Sequence, residues 1–395
     1  MPDPSPSAPL LAPPLSGIRI IEIAGVGPGP FCGMMLADHG AEVIRIDRAG
    51  GLQVGVPIDG TRDVMLRSRR TISLDLKSPA AVAIVKQLVA TADGLIEGFR
   101  PGVMERLGLG PDVLMQLNPA LVYGRMTGWG QDGPLAAMPG HDINYIALNG
   151  VLDSIGHKGS RPVPPLNLVG DYGGGGLMLA FGMVTALLAT RAGAPGRVID
   201  CAMTEGASAL MAGIWTLIGN DWRTQGRGTG LLDSGAPFYD TYATADGGHV
   251  AIGAIEDRFF RRLCELLGLQ DDADFADQYD QTRWEAMRAT FARTFAAHDL
   301  AHWQRLLEAE DVCFSAVLPV EAAPDHPHNR ARGAFIEVGG VTQPAPAPRF
   351  GNTEPVPPVM WREDADRAAL LEELGFTAQE VAQLERDGAF GRPPA

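Results

Sequence analysis

Ile18-Arg-Ile-Ile-Glu-Ile-Ala24, Gly25-Val-Gly-Pro-Gly-Pro30, Phe31-Cys-Gly-Met-Met-Leu-Ala-Asp38 and Ala41-Glu-Val-Ile-Arg-Ile46 make up the stretch that decides the fold. Ile18 to Ala24 is a β-branched apolar run. Phe31 to Asp38 reads as a helix, and Ala41 to Ile46 is a second apolar run closing on Asp47. Two such runs joined through a glycine-proline loop and a helix form a βα crossover, because neighbouring parallel strands cannot be joined by a hairpin. Moving outward, a helix is predicted over Ala80–Thr91 and strands over Gly94–Glu97 and Leu121–Met126. This alternation predicts an α/β chain with a parallel sheet. Asn167-Leu-Val-Gly-Asp171 predicts a further strand ending on Asp171. Tyr172 and Gly173-Gly-Gly-Gly176 follow, then an apolar helical run, Leu177–Thr190, too short to span a membrane and interrupted by Gly182.

Past this point the texture changes. Cys201–Asn220 reads as one long helix and Arg223–Gly235 as turns. A strand is predicted at His249–Ala254, helices at Arg258–Leu267, Arg283–Ala297 and Leu300–Glu308, and a short strand at Ala316–Val320. Pro324–Arg349 reads as loop and Ala365–Arg386 as helix. The expected organisation is a flexible extension over 1–14 and a large Rossmann-like parallel-sheet domain over 15–200, completed by 345–395. A linker helix and loop span 201–240, a smaller α/β domain 241–316, and a return linker 317–344.

With 395 residues, 46% apolar and 20% charged, the chain is long enough for two domains and has the composition of a soluble globular protein. The net charge of −15 argues against nucleic acid as a partner, since phosphate backbones demand clustered cations. Cys32, Cys201, Cys264 and Cys313 are scattered, with no C-x-x-C pair. That spacing argues against a metal site or disulfide framework, and a reduced cytoplasmic setting is expected. Met1–Pro14 lacks the basic and apolar regions of a signal peptide, and Gly391–Ala395 does not match a peroxisomal tripeptide.

The opening βαβ unit invites a dinucleotide reading, because Gly27 and Asp47 stand twenty residues apart. The loop argues against it. Pro28 and Pro30 remove N–H donors where a pyrophosphate would need them. Neither frame of G-x-G-x-x-G survives, since Pro30 or Cys32 takes the last glycine.

Arg62, Arg67, Arg69 and Arg70 lie close together, with Arg48 nearby, and reverse the overall charge locally. They read equally as phosphate ligands and as solvated partners of surface acids.

Gly140-His-Asp-Ile-Asn-Tyr145 places His141 beside Asp142, among hydrogen-bonding neighbours. It reads as a proton-transfer site or as a satisfied structural cluster. Asp171 reads as an acid–base carboxylate or as a helix N-cap. The glycines after it fit a ligand approaching the backbone closely. Glu256 follows a strand and reads as an N-cap or as a carboxylate that orients a histidine. Met178, Met183 and Met211 suit either a pliable acyl pocket or ordinary core.

With these residues quoted, the chain resembles the class III CoA-transferase superfamily and, within it, the α-methylacyl-CoA racemases. The likeness rests on Leu15–Glu22, Gly25–Pro30, Glu97-Gly-Phe-Arg-Pro-Gly102, Glu105-Arg-Leu-Gly-Leu-Gly110, Met126-Thr-Gly-Trp-Gly-Gln131, Gly140–Tyr145, Pro164–Asp171 and Gly235–Tyr242. It runs from about Leu15 to Phe350. The resemblance implies an interlocked homodimer with the active site between the large domain of one chain and the small domain of the other. It implies His141, supported by Glu256 and Asp142, and Asp171 as opposite-face acid/base groups. It also implies CoA phosphates bound by Arg67, Arg70 and Arg106, with Arg48 as a further candidate. The implied reaction inverts C2 of 2-methyl-branched acyl-CoA thioesters through an enolate. Backbone donors at Asp171, Tyr172 and Gly173 are expected to hold the oxyanion. No metal or cofactor beyond the CoA of the substrate is expected, and no membrane partner. The rival within the superfamily is a CoA-transferase with Asp171 as nucleophile. It is disfavoured because transfer needs no second proton-handling pair.

Overall fold

Ile20 and Ile21 are both fully buried, yet they belong to different cores. Successive side chains of a strand point to opposite faces, so a strand buried on both faces must sit inside a covered parallel sheet. This strand is β1 (Arg19–Ile23), in a computed structural model that describes residues 9–51, 58–222 and 226–391. It is followed by α1 (Pro28–Ala37), β2 (Glu42–Arg48), β3 (Arg69–Leu74), α2 (Pro79–Ala90) and β4 (Gly94–Glu97). Next come α3 (Val103–Arg106), α4 (Pro111–Leu117), β5 (Val122–Thr127) and α5 (Asp142–Leu148). A π-helix over Leu168–Leu177 runs into α6 (Met178–Arg191), and β6 (Val198–Ala202) and α7 (Met203–Leu210) complete this part.

The six strands form one parallel sheet in the order β3-β2-β1-β4-β5-β6. The chain winds outward from β1 in one direction and then, from β4, in the other. In such sheets the loops leaving the carboxyl ends of the two central strands diverge and open a crevice. Here those loops begin at Ala24 and Gly98. Ile21, Ile44, Leu95 and Tyr123 pack on α2 and α4, and Ile20, Val43, Ile96 and Val122 on α1 and α6.

Several expectations change. Arg69–Leu74 is an edge strand that two leading arginines disguised as a charged loop. Asn167–Asp171 is not a strand, because the glycines after it let a helix pack without side-chain clearance. Cys201 lies in β6, so the expected single helix is divided into a strand end, α7 and α8 (Ala212–Gly219). The π-helix continues α6 backwards, so the helical segment Leu168–Arg191 is 24 residues, long and apolar enough by length and composition to cross a membrane. It is partly buried, with Gly174–Gly176 packed against other elements of its unit. The expected extension is outside the described residues up to 8. Beyond that, Leu11 pairs with the chain around Thr353, donating to Asn352 O at 2.8 Å.

Contacts divide the chain into two units, 1–149, 166–210 and 331–395, and 150–165 with 211–330. The second holds α8 and the antiparallel sheet β7 (Tyr239–Ala243), β8 (His249–Gly253) and β9 (Phe314–Ala316), in the order β7-β8-β9. It also holds α9 (Asp257–Leu267), α10 (Trp284–Phe295) and α11 (Leu300–Leu307), packed around Phe238, Phe291, Phe295 and Trp303. After α12 (Pro327–Arg332), the stretch expected as loop contains a hairpin, β10 (Phe335–Val338) and β11 (Val341–Pro344). The C-terminal helical region is two helices, α13 (Arg367–Glu373) and α14 (Ala378–Arg386). Leu370 and Leu371 close the core beneath the large sheet.

Candidate active site

The crevice at the carboxyl ends of β1 and β4 is a cavity of about 1240 Å³. Its walls are the Gly25–Pro30 loop, the Gly98–Pro101 turn after β4, the Thr127–Trp129 end of β5 and the segment around His141. Asn167, Asp171 and Tyr172 close it from the π-helix. The two phrases that sequence marked for proton chemistry therefore meet in one cavity.

His141 is the N-cap residue of α5, with extended backbone (φ −131°, ψ 172°) and an exposed side chain. The Asn144 carboxamide oxygen accepts the His141 N–H at 3.0 Å and so fixes the entry of the chain into the helix. Tyr145, one turn on, donates its hydroxyl to Gly140 O and meets Trp129 edge to face at 4.8 Å. These contacts hold the His141 backbone and leave its ring among the residues lining the cavity.

Asp171 is half-buried on the π-helix. Asn167 donates to its Oδ2 at 3.0 Å. Burial pushes its carboxyl above the usual range, and the neighbouring Asp142 charge adds to this. The Asn167 hydrogen bond and His141 pull the other way. His141 and Asp171 thus line one space, and His141 lies close enough to act on the Asp171 carboxyl.

Asp142 has a different place. It is buried, and its Oδ1 accepts the backbone N–H of Asp171 at 2.9 Å. A Cβ on Gly170 would lie 2.3 Å from the same oxygen, so glycine is needed there. Asp142 clamps the backbone that carries Asp171.

The expectation that Asp171, Tyr172 and Gly173 offer oxyanion donors is corrected. The Asp171 N–H belongs to Asp142, and the Tyr172 N–H donates to Asn167 O at 3.4 Å in the i→i+5 pattern of a π-helix, which also enrols Gly173. The other glycines serve packing. A Cβ on Gly176 would lie 2.7 Å from Pro28 O, one on Gly174 2.5 Å from Ala207 N, and one on Gly206 1.8 Å from Gly174 O. They let the π-helix approach α1 and α7 backbone to backbone.

The arginines separate as well. Arg67 is 1% exposed; it donates to both Asp38 oxygens, to Gln343 Oε1 and to Pro344 O. Its guanidinium is spent inside the protein, which corrects its assignment to CoA phosphates. Arg70 pairs with Glu42 and Glu373 across the sheet edge and does not line the cavity. Arg106 is exposed on α3, also away from the lining residues. Arg48 does line the cavity and is exposed. So does Arg100, which sequence reading had only as part of a matching phrase.

Asp47, the acid that suggested a dinucleotide, accepts from Arg45 Nε at 2.7 Å and from Trp361 Nε1 at 3.0 Å. Its carboxylate is committed to the protein, in keeping with the dismissal of that reading.

Glu256 lies in the second unit at the N-cap position of α9. It makes no side-chain cap hydrogen bond and is exposed. Of the three methionines considered for an acyl pocket, Met183 is core, Met178 packs against that core, and Met211 lies in the second unit. Met65, Met126, Met138 and Met203 line the cavity instead. Asn167 and Tyr145 were visible in the quoted phrases, but only folding shows that Asn167 donates to Asp171 and that both residues line the cavity.

The chain is 43% identical over 376 residues to the alpha-methylacyl-CoA racemase of Mus musculus, covering 94% of this chain and 96% of the relative. Against the enzyme of the same name from Homo sapiens the identity is 42%, with equal coverage. A CAIB/BAIF family protein from Brucella suis shares the fold, with a TM-score of 0.79 at 24% identity over 92% of this chain and all of the other. The model of CoA-transferase family III matches residues 15–364, and the chain belongs to that family.

Proposed function

We propose that this protein is an acyl-CoA racemase that inverts the C2 stereocentre of 2-methyl-branched acyl-CoA thioesters by 1,1-proton transfer. The observation that carries the reading is the pairing of His141 and Asp171 on one cavity at the switch point of the sheet. A thioester carbonyl acidifies the adjacent C–H. One of the two groups removes that proton and the carbonyl oxygen takes up the charge as an enolate; the other returns a proton to the opposite face. Each must act as base in one direction and acid in the other. The raised Asp171 carboxyl suits both roles better than an ordinary aspartate would. With the Asp171 and Tyr172 N–H groups committed, the positive end of α1 at Gly27–Gly29 offers a backbone dipole on the cavity for the enolate. No cofactor is required for these steps. Arg48 and Arg100 supply the cations for the CoA phosphates, and the four lining methionines receive the branched acyl chain.

The protein acts as a homodimer in this proposal, with Glu256 of one chain orienting His141 of the other. In support, Leu177, Phe181, Val184 and Leu188 are exposed at helical spacing, three of them on α6, an apolar stripe of the kind that a second subunit covers. Cys32, Cys201, Cys264 and Cys313 are all free, which fits a cytoplasmic setting.

The test is deuterium wash-in. In deuterated buffer, without any acceptor acid, the protein should place deuterium at C2 of a 2-methylacyl-CoA. Absence of exchange across a panel of branched thioesters would sink the reading. A covalent acyl adduct on Asp171, trapped and seen by mass spectrometry, would favour CoA transfer instead.

A further inference from the structure

The Gly98–Pro101 turn forms the β4 side of the cavity and carries Arg100. Directly before it, Glu97 ends β4 and is 1% exposed. One of its oxygens accepts the Phe99 N–H at 2.7 Å, inside the turn. The other accepts Arg125 Nε at 3.1 Å, from β5. Arg125 in turn pairs through Nη1 with Glu105 on α3 at 2.9 Å. Two carboxylates that share one guanidinium therefore bracket the turn, Glu97 before it and Glu105 after it. Gly102, at φ 81°, carries the chain from the turn into α3.

We infer that Glu97 is a positioning residue for thioester binding: its contacts to Phe99 and Arg125 set the turn that presents Arg100 to the CoA moiety. This rests on the acyl-CoA reading above.

The groups that face Glu97 are Arg125 and Tyr123 on β5 and Glu105 on α3. Burial pushes the Glu97 carboxyl up to about 7, against the pull of the Phe99 N–H and Arg125. Glu105 is held below its ordinary value despite some burial, by its hydrogen bonds and Arg125, whereas Arg125 and Tyr123 stay above theirs. Among these four, Glu97 is the one that changes charge near neutrality. As a carboxylate it accepts from Phe99 and Arg125 together. As a neutral acid one of its oxygens becomes a donor and the pair of contacts weakens. Arg125 is then left to Glu105.

The test is calorimetric binding of acetyl-CoA, with acetyl-dephospho-CoA as a second probe so that the 3′-phosphate is not mistaken for Glu97. Wild-type affinity for both probes should rise roughly three- to tenfold between about pH 5.5 and about pH 8, the range that one intramolecular hydrogen bond is worth. Glu97→Gln keeps an acceptor for Phe99 but cannot ionise, so its affinity should lack that rise. Glu97→Ala should bind more weakly than Glu97→Gln at the upper pH. If Glu97→Ala fails to fold, Glu97→Gln decides by itself. A full rise retained in Glu97→Gln overturns this inference alone. Failure of the wild type to bind either probe overturns both this inference and the function it rests on.

Discussion

The backbone N–H of Asp171 donates to the Asp142 carboxylate at 2.9 Å, so the two aspartates of the site divide the work. One lines the cavity and the other is buried, holding the first in place. Asp142→Ala should leave that N–H unsatisfied, at a cost of about 1–3 kcal/mol, and lower deuterium exchange roughly ten- to a hundredfold. Asp142→Asn retains an oxygen acceptor and should recover most of the loss. Exchange rates read beside thermal melting would check both.

Loss of the two groups proposed to move the proton should be more severe. His141→Ala and Asp171→Ala should each cut exchange by about a hundred- to ten-thousandfold, the usual loss for a positioned acid or base, with little change in melting. Full activity in both would overturn their assignment.

Asn167 favours the charged form of Asp171 by donating to it. Asn167→Ala removes that preference, and the Asp171 carboxyl should rise further. Since the base must be ionised to take a proton, the acid limb of the pH–rate profile should move to higher pH. An unmoved or lowered limb would contradict the role given to this hydrogen bond.

Arg67 and Arg100 should separate stability from affinity. Arg67→Ala strands buried Asp38 without its partner and should destabilise the fold by about 3–5 kcal/mol. Arg100→Ala should raise the Kd for CoA and leave melting nearly unchanged. Denaturant unfolding and calorimetry on the two variants would show the crossover or its absence.

Glu97 also predicts a pH-dependent stability. Its folded carboxyl sits at about 7 against a usual 4.5, so between those values the folded chain holds a proton that the unfolded chain has lost. Its contribution is complete below that window and disappears as pH rises through about 7. Glu97→Gln should flatten this part of the melting-temperature profile.

The strands of the large sheet were legible where apolar residues dominate them, as in Ile18–Ala24, despite Arg19 and Glu22, and Gly94–Glu97. Arg69–Leu74 was hidden because its arginines are buried or edge-paired against Glu22, Glu42 and Glu373, partners distant in the chain. The Asn167–Gly176 phrase was recognised as important but misread in conformation. A short apolar run before glycines looks like a strand until α1 and α7 press a helix onto it.

By itself, the sequence determined the alternation of strands and helices, the two phrases that meet at the cavity and the family, because periodicity and short motifs are local in the chain. The tertiary structure alone decided which charges were free. Arg67, Asp142 and the backbone donors at Asp171 and Tyr172 look available in sequence, and folding commits each to a partner within the protein. Arg48, Arg100, His141 and the Asp171 carboxyl are left on the cavity, because the strand end, turn and helix starts that carry them border the crevice at the switch point.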